Sequence, residues 1–426
     1  MKHTVQEVEL KNGARGLLID VPGATVMSFQ FHFRAGNRFA RDKSVEQTAH
    51  IMEHMAFGAN SKYKDAHAYE AEFTRNGAYH NAYTTDFSMV YHGDCADFEW
   101  ERILDLKQLA ITKPRFNEEE LEAERGNVKS ELNGYLNDHH RLLWPKMMKN
   151  LGEDTLTFSE ALKTVPNVSL KDVREHYRRT HTLSNMRFII AGKMYRRKKR
   201  IIEMLESWDL PEGERLLIPI DEQKKADPVL IRRKEASNLT FGWLLSLPRK
   251  LSDAELDAMS VVDHILNGTL HSRIYGNARK RGLAYGVFSA TAGLEHNSEW
   301  EFGADVDLDT AAQLIDIIVE QVGAMRKGNF TEDEIEQAKQ YALGRHQMGA
   351  QTVGQISRFY ANRYFSDGWI EDYEARPQAI NGVTKKRIVD TTQEFLNANC
   401  WIMGGVGNTD RVVMDDLQAR LETIFE

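Results

Sequence analysis

The 426-residue sequence predicts a mixed α and β protein built from two similar halves. Three observations point there. Short runs rich in β-branched and aromatic residues alternate with long helical patterns in each half. Matched segments recur half a chain length apart: Gly192 corresponds to Gly405, and Val26 to Leu239, both at an offset of 213 residues. Between the halves, residues 207–236 mix proline, glycine and charge without periodicity, as an interdomain connection does. The expected domains are residues 1–215 and 216–426.

Val26 to Phe33 reads as a strand from its β-branched and aromatic content. Ser44 with Gln47 has the form of a capping box opening a helix through Ala49, Ile51, Met52, Met55 and Ala56, with Gly58 as its stop. That helix carries His50-Ile51-Met52-Glu53-His54. Its two imidazoles lie one turn apart on one face, so both can reach a single Zn²⁺, with the Glu53 carboxylate beside them. This is the H-x-x-E-H order. Asn81 to Thr84 has strand character: an exposed edge for an extended peptide, or an ordinary strand. Next, Asn117 is an N-cap with Glu120 at the capping-box position, and a helix runs without proline to about Asn137. Glu124 and Glu131 share a face of it, two turns apart. A two-histidine site needs a third protein ligand and an open position for water, and His₂Glu is one solution. Glu131 follows His54 by 77 residues.

Further on, Val168 to Val173 opens a helix leading to the strand Met186–Gly192, and Val383 to Ile388 leads likewise to Cys400–Gly405. The basic run Lys193–Arg200 reads as a solvated helix start, with an acidic partner as the alternative. Val306 to Leu308 precedes a helix from Thr310 to about Lys327, whose Ala312, Leu314, Ile315, Ile318, Val319 and Val322 keep helical spacing. Thr331 to Glu334 is another capping box. The counterpart of His50 is Asp263, in a segment without paired histidines, so only the first half is expected to bind metal. His80 and His92 are isolated and read as structural. His139 and His140 are adjacent, do not share a helix face, and read as surface.

Composition narrows the class. A net charge of −8 argues against a nucleic-acid binder. No run of 18 apolar residues exists, so no membrane span is expected. The first ten residues have no apolar signal core, and Glu7 and Glu9 disfavour a transit peptide. Cys95 and Cys400 read as two inert thiols in a reducing compartment, and a cytoplasmic location is the expectation.

Three segments together resemble the pitrilysin family of zinc metallopeptidases, in the branch of the mitochondrial processing peptidase and its bacterial relatives. They are His50-Ile-Met-Glu-His54-Met-Ala-Phe-Gly58, Glu124-Arg-Gly-Asn-Val-Lys-Ser-Glu131-Leu132 and Asn76-Gly-Ala-Tyr-His-Asn-Ala-Tyr-Thr84. The resemblance implies an α+β fold of two homologous halves, each a mixed sheet covered by helices on one face, together half of a clamshell chamber. It implies one Zn²⁺ held by His50, His54 and Glu131, with Glu53 as general base for hydrolysis of peptides or unfolded small polypeptides. Glu124 would orient a histidine ligand, or is simply a solvated glutamate. Asn81, Ala82 and Thr84 would bind substrate. The second half would be a degenerate repeat in which Tyr285, and Arg279 in place of an arginine usually one position earlier, contact substrate and the oxyanion. Either could instead be a packing residue of an ordinary loop. A homodimer, or a heterodimer with a similar chain, would complete the chamber. The competing readings are a non-catalytic scaffold or partner subunit, and a zinc hydrolase of non-peptide amides.

Overall fold

The computed structural model describes residues 1–426 and contains two sheets built on one plan. The first has strands β1 (Thr4–Glu9), β2 (Arg15–Asp20), β3 (Val26–Phe33), β4 (Tyr79–Thr84), β5 (Met89–Ala96) and β6 (Met186–Gly192), in the order β1-β2-β6-β3-β5-β4. The second has β7 (Val229–Arg232), β8 (Asn238–Leu247), β9 (Ala284–Gly293), β10 (Ser298–Asp307) and β11 (Trp401–Gly407), in the order β7-β11-β8-β10-β9. Without β1, the two orders superimpose strand for strand. Each sheet has one parallel pair, β2 with β6 and β7 with β11, and is otherwise antiparallel. The duplication seen in sequence is thus a duplication of topology.

Two compact units result. One comprises residues 1–134, 159–219 and 348–371; the other 135–158, 220–347 and 372–426. Against a single cut at residue 215, each unit therefore includes a segment from the opposite side of the cut. The supposed connection 207–236 also contains β7, whose main chain completes the second sheet.

In the first unit β3 is buried on both faces. Met27, Phe29, Phe31 and Phe33 point to one side, where Phe31 meets Trp208 at 4.8 Å and Phe33 stacks on His181 at 4.3 Å. The other side is polar, and the helix Val353–Asp367 covers it. Gln30 donates to Ser357 Oγ at 2.7 Å, His32 stacks on Phe365 at 4.7 Å, and Arg34 donates to the carbonyls of Leu216 and Ser366, both at 2.8 Å. These bonds matter because a buried polar group without a partner costs about 1–3 kcal/mol.

The second unit repeats the device with apolar groups. Its main core lies between the sheet and helices such as Asp253–Asn267, Ala311–Lys327 and Lys385–Ala398. The opposite face receives the helix His139–Leu151, whose Leu143, Met147 and Leu151 pack on Leu244, Ile402 and Val406. The approach is close because Gly404 and Gly242 are cross-strand partners beneath it. A Cβ on Gly404 would lie 2.7 Å from Leu143 Cδ1, and one on Gly242 2.5 Å from Trp144 Cζ3.

Truncating Leu143→Ala is expected to lower the unfolding free energy by about 2–5 kcal/mol through the cavity it leaves. Gly404→Val forces the helix off the sheet at a cost of about 1–3 kcal/mol. Urea titration followed by far-UV circular dichroism measures both.

Candidate metal centre

The helix bearing the two histidines spans Thr48–Ala56. It does not open with the expected Ser44–Gln47 capping box. Ser44 belongs instead to a short turn capped by Asp42, whose carboxylate accepts from the Ser44 N–H at 2.9 Å. Gln47 is the N-cap residue but makes no side-chain cap bond; its Oε1 lies 3.0 Å from His50 Nδ1. The residue expected to cap the helix therefore orients the first imidazole.

The second helix spans Glu118–Tyr135. Here the N-cap forms, with a side-chain bond in place of the reciprocal half of the box: the Glu120 N–H donates to Asn117 Oδ1, and Asn117 Nδ2 to Glu120 Oε2, each at 2.9 Å. Glu120 also accepts the Ala59 N–H at 2.6 Å, which ties the loop after the histidine helix to the start of this one. Gly58 is needed at that junction, since a Cβ there would lie 2.7 Å from the Glu120 carboxylate. Four residues further on, Glu124 Oε2 lies 2.9 Å from His54 Nδ1 and accepts from Asn127 Nδ2 at 3.0 Å.

These ties bring Glu131 to the paired imidazoles. Its Oε2 is 3.4 Å from His50 Nε2 and 3.7 Å from His54 Nε2, and the three donor atoms lie within 4.8 Å of one another. Ligands about 2.0–2.1 Å from a tetrahedral Zn²⁺ stand roughly 3.3–3.4 Å apart, so this set needs little adjustment to hold one. Both imidazoles have Nδ1 engaged and Nε2 directed inward, the arrangement that second-row partners impose on metal-binding histidines. The group has three members, leaving a coordination position open.

Glu53 sits beside this set and is 8% exposed. Burial pushes its carboxyl above the ordinary value, while a 2.7 Å bond from Thr84 Oγ1 to Oε2 pulls the other way. Thr84, expected to contact substrate, thus also anchors Glu53. For His54, burial works to lower the pKa, but the Glu124 bond and the charges of Glu53, Glu124 and Glu131 outweigh it and leave the imidazole raised. Glu124 is correspondingly lowered, chiefly by His54.

Asn81, Ala82 and Thr84 lie on β4, the edge of the first sheet. Asn81 Oδ1 accepts the Ala82 N–H at 2.9 Å, and Ala82 is buried. Arg279 and Tyr285 lie in the second unit. They are brought together: the guanidinium sits 4.1 Å over the phenol ring, and Tyr285 is 81% exposed. His80 is bonded to Glu70 at 2.6 Å and stacked on Phe73, and His92 lies between Tyr79 and Tyr83. His139 and His140 turn to different partners, Thr240 and Asp305. Burial pushes the Cys95 and Cys400 thiols up to about 12 and about 11. Sequence reasoning took Gln47 for part of a cap and did not single out Asn127; the i,i+3 spacing of Gln47 to His50 and of Asn127 to Glu124 was the available signal.

The second half uses the corresponding position differently. Asp263 is half-buried in the helix Asp253–Asn267 and accepts from Trp300 Nε1 and Thr291 Oγ1, both at 2.9 Å, pinning the helix to β9 and β10. Burial raises its pKa to about 6.

Residues 17–162 match the family described as Insulinase (Peptidase family M16), and residues 167–341 match Peptidase M16 inactive domain. A Bacillus subtilis protein named Uncharacterized zinc protease YmxG is 22% identical over 350 residues, covering 80% of this chain and 83% of that protein. A Helicobacter pylori protein named Non-peptidase homolog YmxG is 24% identical over 269 residues, 60% of each chain. The rat mitochondrial-processing peptidase subunit beta is 26% identical over 176 residues, 40% of this chain and 35% of that one. Among solved structures, a protease from Helicobacter pylori superimposes with a TM-score of 0.83 at 16% identity, covering 96% of this chain and all of the other. A peptidase M16 inactive domain from Pseudomonas fluorescens gives 0.84 at 19% identity, covering 96% and 99%. At those identities the structural likeness establishes the fold.

Two outcomes follow from these electrostatics. In metal-free protein, Glu124→Ala removes the partner that offsets burial, so NMR titration should show the His54 pKa falling below its parental value. The raised folded pKa of Asp263 makes stability greatest below pH about 4 and diminishes it as pH rises through about 6, by up to about 3 kcal/mol. Asp263→Asn should lack that part of the slope in urea unfolding measured from pH 4 to 7.

Proposed function

The chain belongs to peptidase family M16, and from that premise we propose that it is a zinc-dependent endopeptidase or oligopeptidase acting on peptides or unfolded small polypeptides. The observation that carries this is the convergence of His50, His54 and Glu131, with Glu53 buried beside them. His50, His54 and Glu131 would hold the Zn²⁺, which when bound would supply Lewis acidity towards a water and the scissile carbonyl. Thr84 holds Glu53 Oε2, which leaves Oε1 to take the water's proton and deliver it to the leaving amine. Glu124 keeps the His54 ring in its ligating orientation. The free edge of β4, from Asn81 through Ala82 to Thr84, binds an extended peptide through main-chain hydrogen bonds.

In the second unit, Tyr285 and Arg279 supply a phenol and a cation to the substrate and the developing oxyanion, a role that the motif around them supports. A second chain of similar size, identical or paralogous, completes the working assembly; the rat relative is itself named a subunit. The two unreactive thiols suit a reducing, cytoplasmic setting. The name of the Helicobacter pylori relative favours one other reading, a non-catalytic partner of a peptidase.

Metal analysis and cleavage of a mixed peptide library separate the two. The peptidase is expected to carry one zinc per chain, to lose cleavage to a chelator and to regain it with Zn²⁺. Glu53→Gln should keep the zinc and lose about 10²–10⁴ in kcat. Glu131→Gln should lose the zinc. Stoichiometric zinc binding with no chelator-sensitive cleavage of any peptide would leave the scaffold reading.

A further inference from the structure

A cavity of about 120 Å³ opens in the first unit, where the helix Leu170–Thr180 packs against the histidine helix. Asp172, Glu175, His176 and Arg179 line it from one stripe of the Leu170–Thr180 helix, at the three- and four-residue spacings that share a face. Arg41 and Thr48 complete the lining, and Thr48 is the first residue of the histidine helix.

The charges around it divide into a matched pair and an unmatched one. Asp172 is buried, accepts from the Ser169 N–H at 2.9 Å and from Ser169 Oγ, and has the Arg41 guanidinium at 3.2 Å. Those two residues answer each other. Burial, aided by the charge of Arg179, pushes His176 down to about 4, and its Nε2 donates to the Ala35 carbonyl, so this ring is neutral wall. Thr48 Oγ1 donates to the Val45 carbonyl at 2.6 Å, which leaves its oxygen able to accept. There remain Glu175 and Arg179, one turn apart. Arg179 has no hydrogen bond or ion pair, and partial burial disfavours its charge. Glu175 has Lys171 at 3.7 Å, an exposed pair that contributes little.

An entering ion of one sign satisfies one of these two groups and is repelled by the other. A molecule carrying both signs satisfies both: its carboxylate accepts from the Arg179 fork, and its ammonium donates to Glu175 and to Thr48 Oγ1. Size narrows the choice. A cavity of about 150 Å³ takes benzene, so one of about 120 Å³ holds roughly five or six heavy atoms, the size of glycine or alanine and too small for a dipeptide.

We propose that this cavity binds a small free α-amino acid as its zwitterion, with Arg179 holding the carboxylate and Glu175 the ammonium. The site shares no residue with His50, His54 and Glu131, so the assignment stands independently of the peptidase reading. The occupant rests on the first turn of the histidine helix, through Thr48.

Isothermal titration calorimetry of the full chain, zinc-loaded and chelator-treated, tests this with glycine, L-alanine, L-leucine, acetate and methylammonium. Glycine and alanine should bind saturably at one site per chain, with the same Kd in both preparations. Acetate and methylammonium, each lacking one charge, should bind at least about tenfold more weakly, and leucine should be excluded by size. Arg179→Ala should weaken glycine binding by about tenfold, Arg179→Lys should recover part of that loss, and Glu175→Gln should weaken it several-fold. Far-UV circular dichroism checks that each variant keeps its fold, and a glycine-dependent shift of the Thr48 amide resonance in the parent protein locates the ligand without any substitution. The assignment is overturned if glycine and alanine give no saturable heat, if acetate binds as tightly as glycine, if binding is confined to zinc-loaded protein, or if Arg179→Ala leaves the affinity unmoved.

Discussion

The site depends on how two helices are fastened side by side. The histidine helix and the Glu118–Tyr135 helix are joined twice, by His54 Nδ1 to Glu124 and by the Ala59 N–H to Glu120. The two acceptors are one turn apart on one helix, as the donors are nearly so on the other segment. Fixing two points along a helix fixes its rotation, and that rotation presents Glu131, a further two turns along, to the inward nitrogens of both rings. The absence of a Cβ at Gly58 permits the approach. The same two glutamates also border a neighbouring cavity, so one set of contacts both gathers the three side chains and lines the space beside them.

Much of this could be read from residue order. The strands Val26–Phe33 and Met186–Gly192 emerge with their expected limits, because continuous β-branched and aromatic runs seldom suit a helix. The Asn117–Glu120 and Thr331–Glu334 caps form as their spacing requires. The Ser44–Gln47 cap does not, because a side-chain amide near a histidine has a competing partner that a local pattern cannot display. Glu124 and Glu131 were legible as a shared helix face, whereas the position of that face beside His54 follows from tertiary contacts across 70 residues. β7 was hidden in a charged stretch, since only four residues pair and only Val229 among them is buried.

The two halves show what duplication preserves and what it releases. Strand order and the single parallel pair persist in both sheets. Chemistry at a matched position does not: His50 faces His54 and Glu131, while Asp263 is consumed in bonds to Trp300 and Thr291 that hold a helix to its sheet. Backbone topology is enforced by every hydrogen-bonded pair along the ladder. A single side chain is constrained only by its own neighbours, and it drifts towards whatever those neighbours satisfy.

Each sheet's second face is closed by a helix encoded in the other half of the gene product, Val353–Asp367 over the first and His139–Leu151 over the second. On the ribosome, this has a temporal cost for the amino-terminal sheet. Its last strand ends at Gly192, yet the helix that shields Gln30, His32 and Arg34 is translated some 160 residues later. That face is polar, so the nascent sheet can wait in water without inviting aggregation. The greasy counterpart, beneath Leu143 and Met147, has its cover synthesised first and never emerges bare.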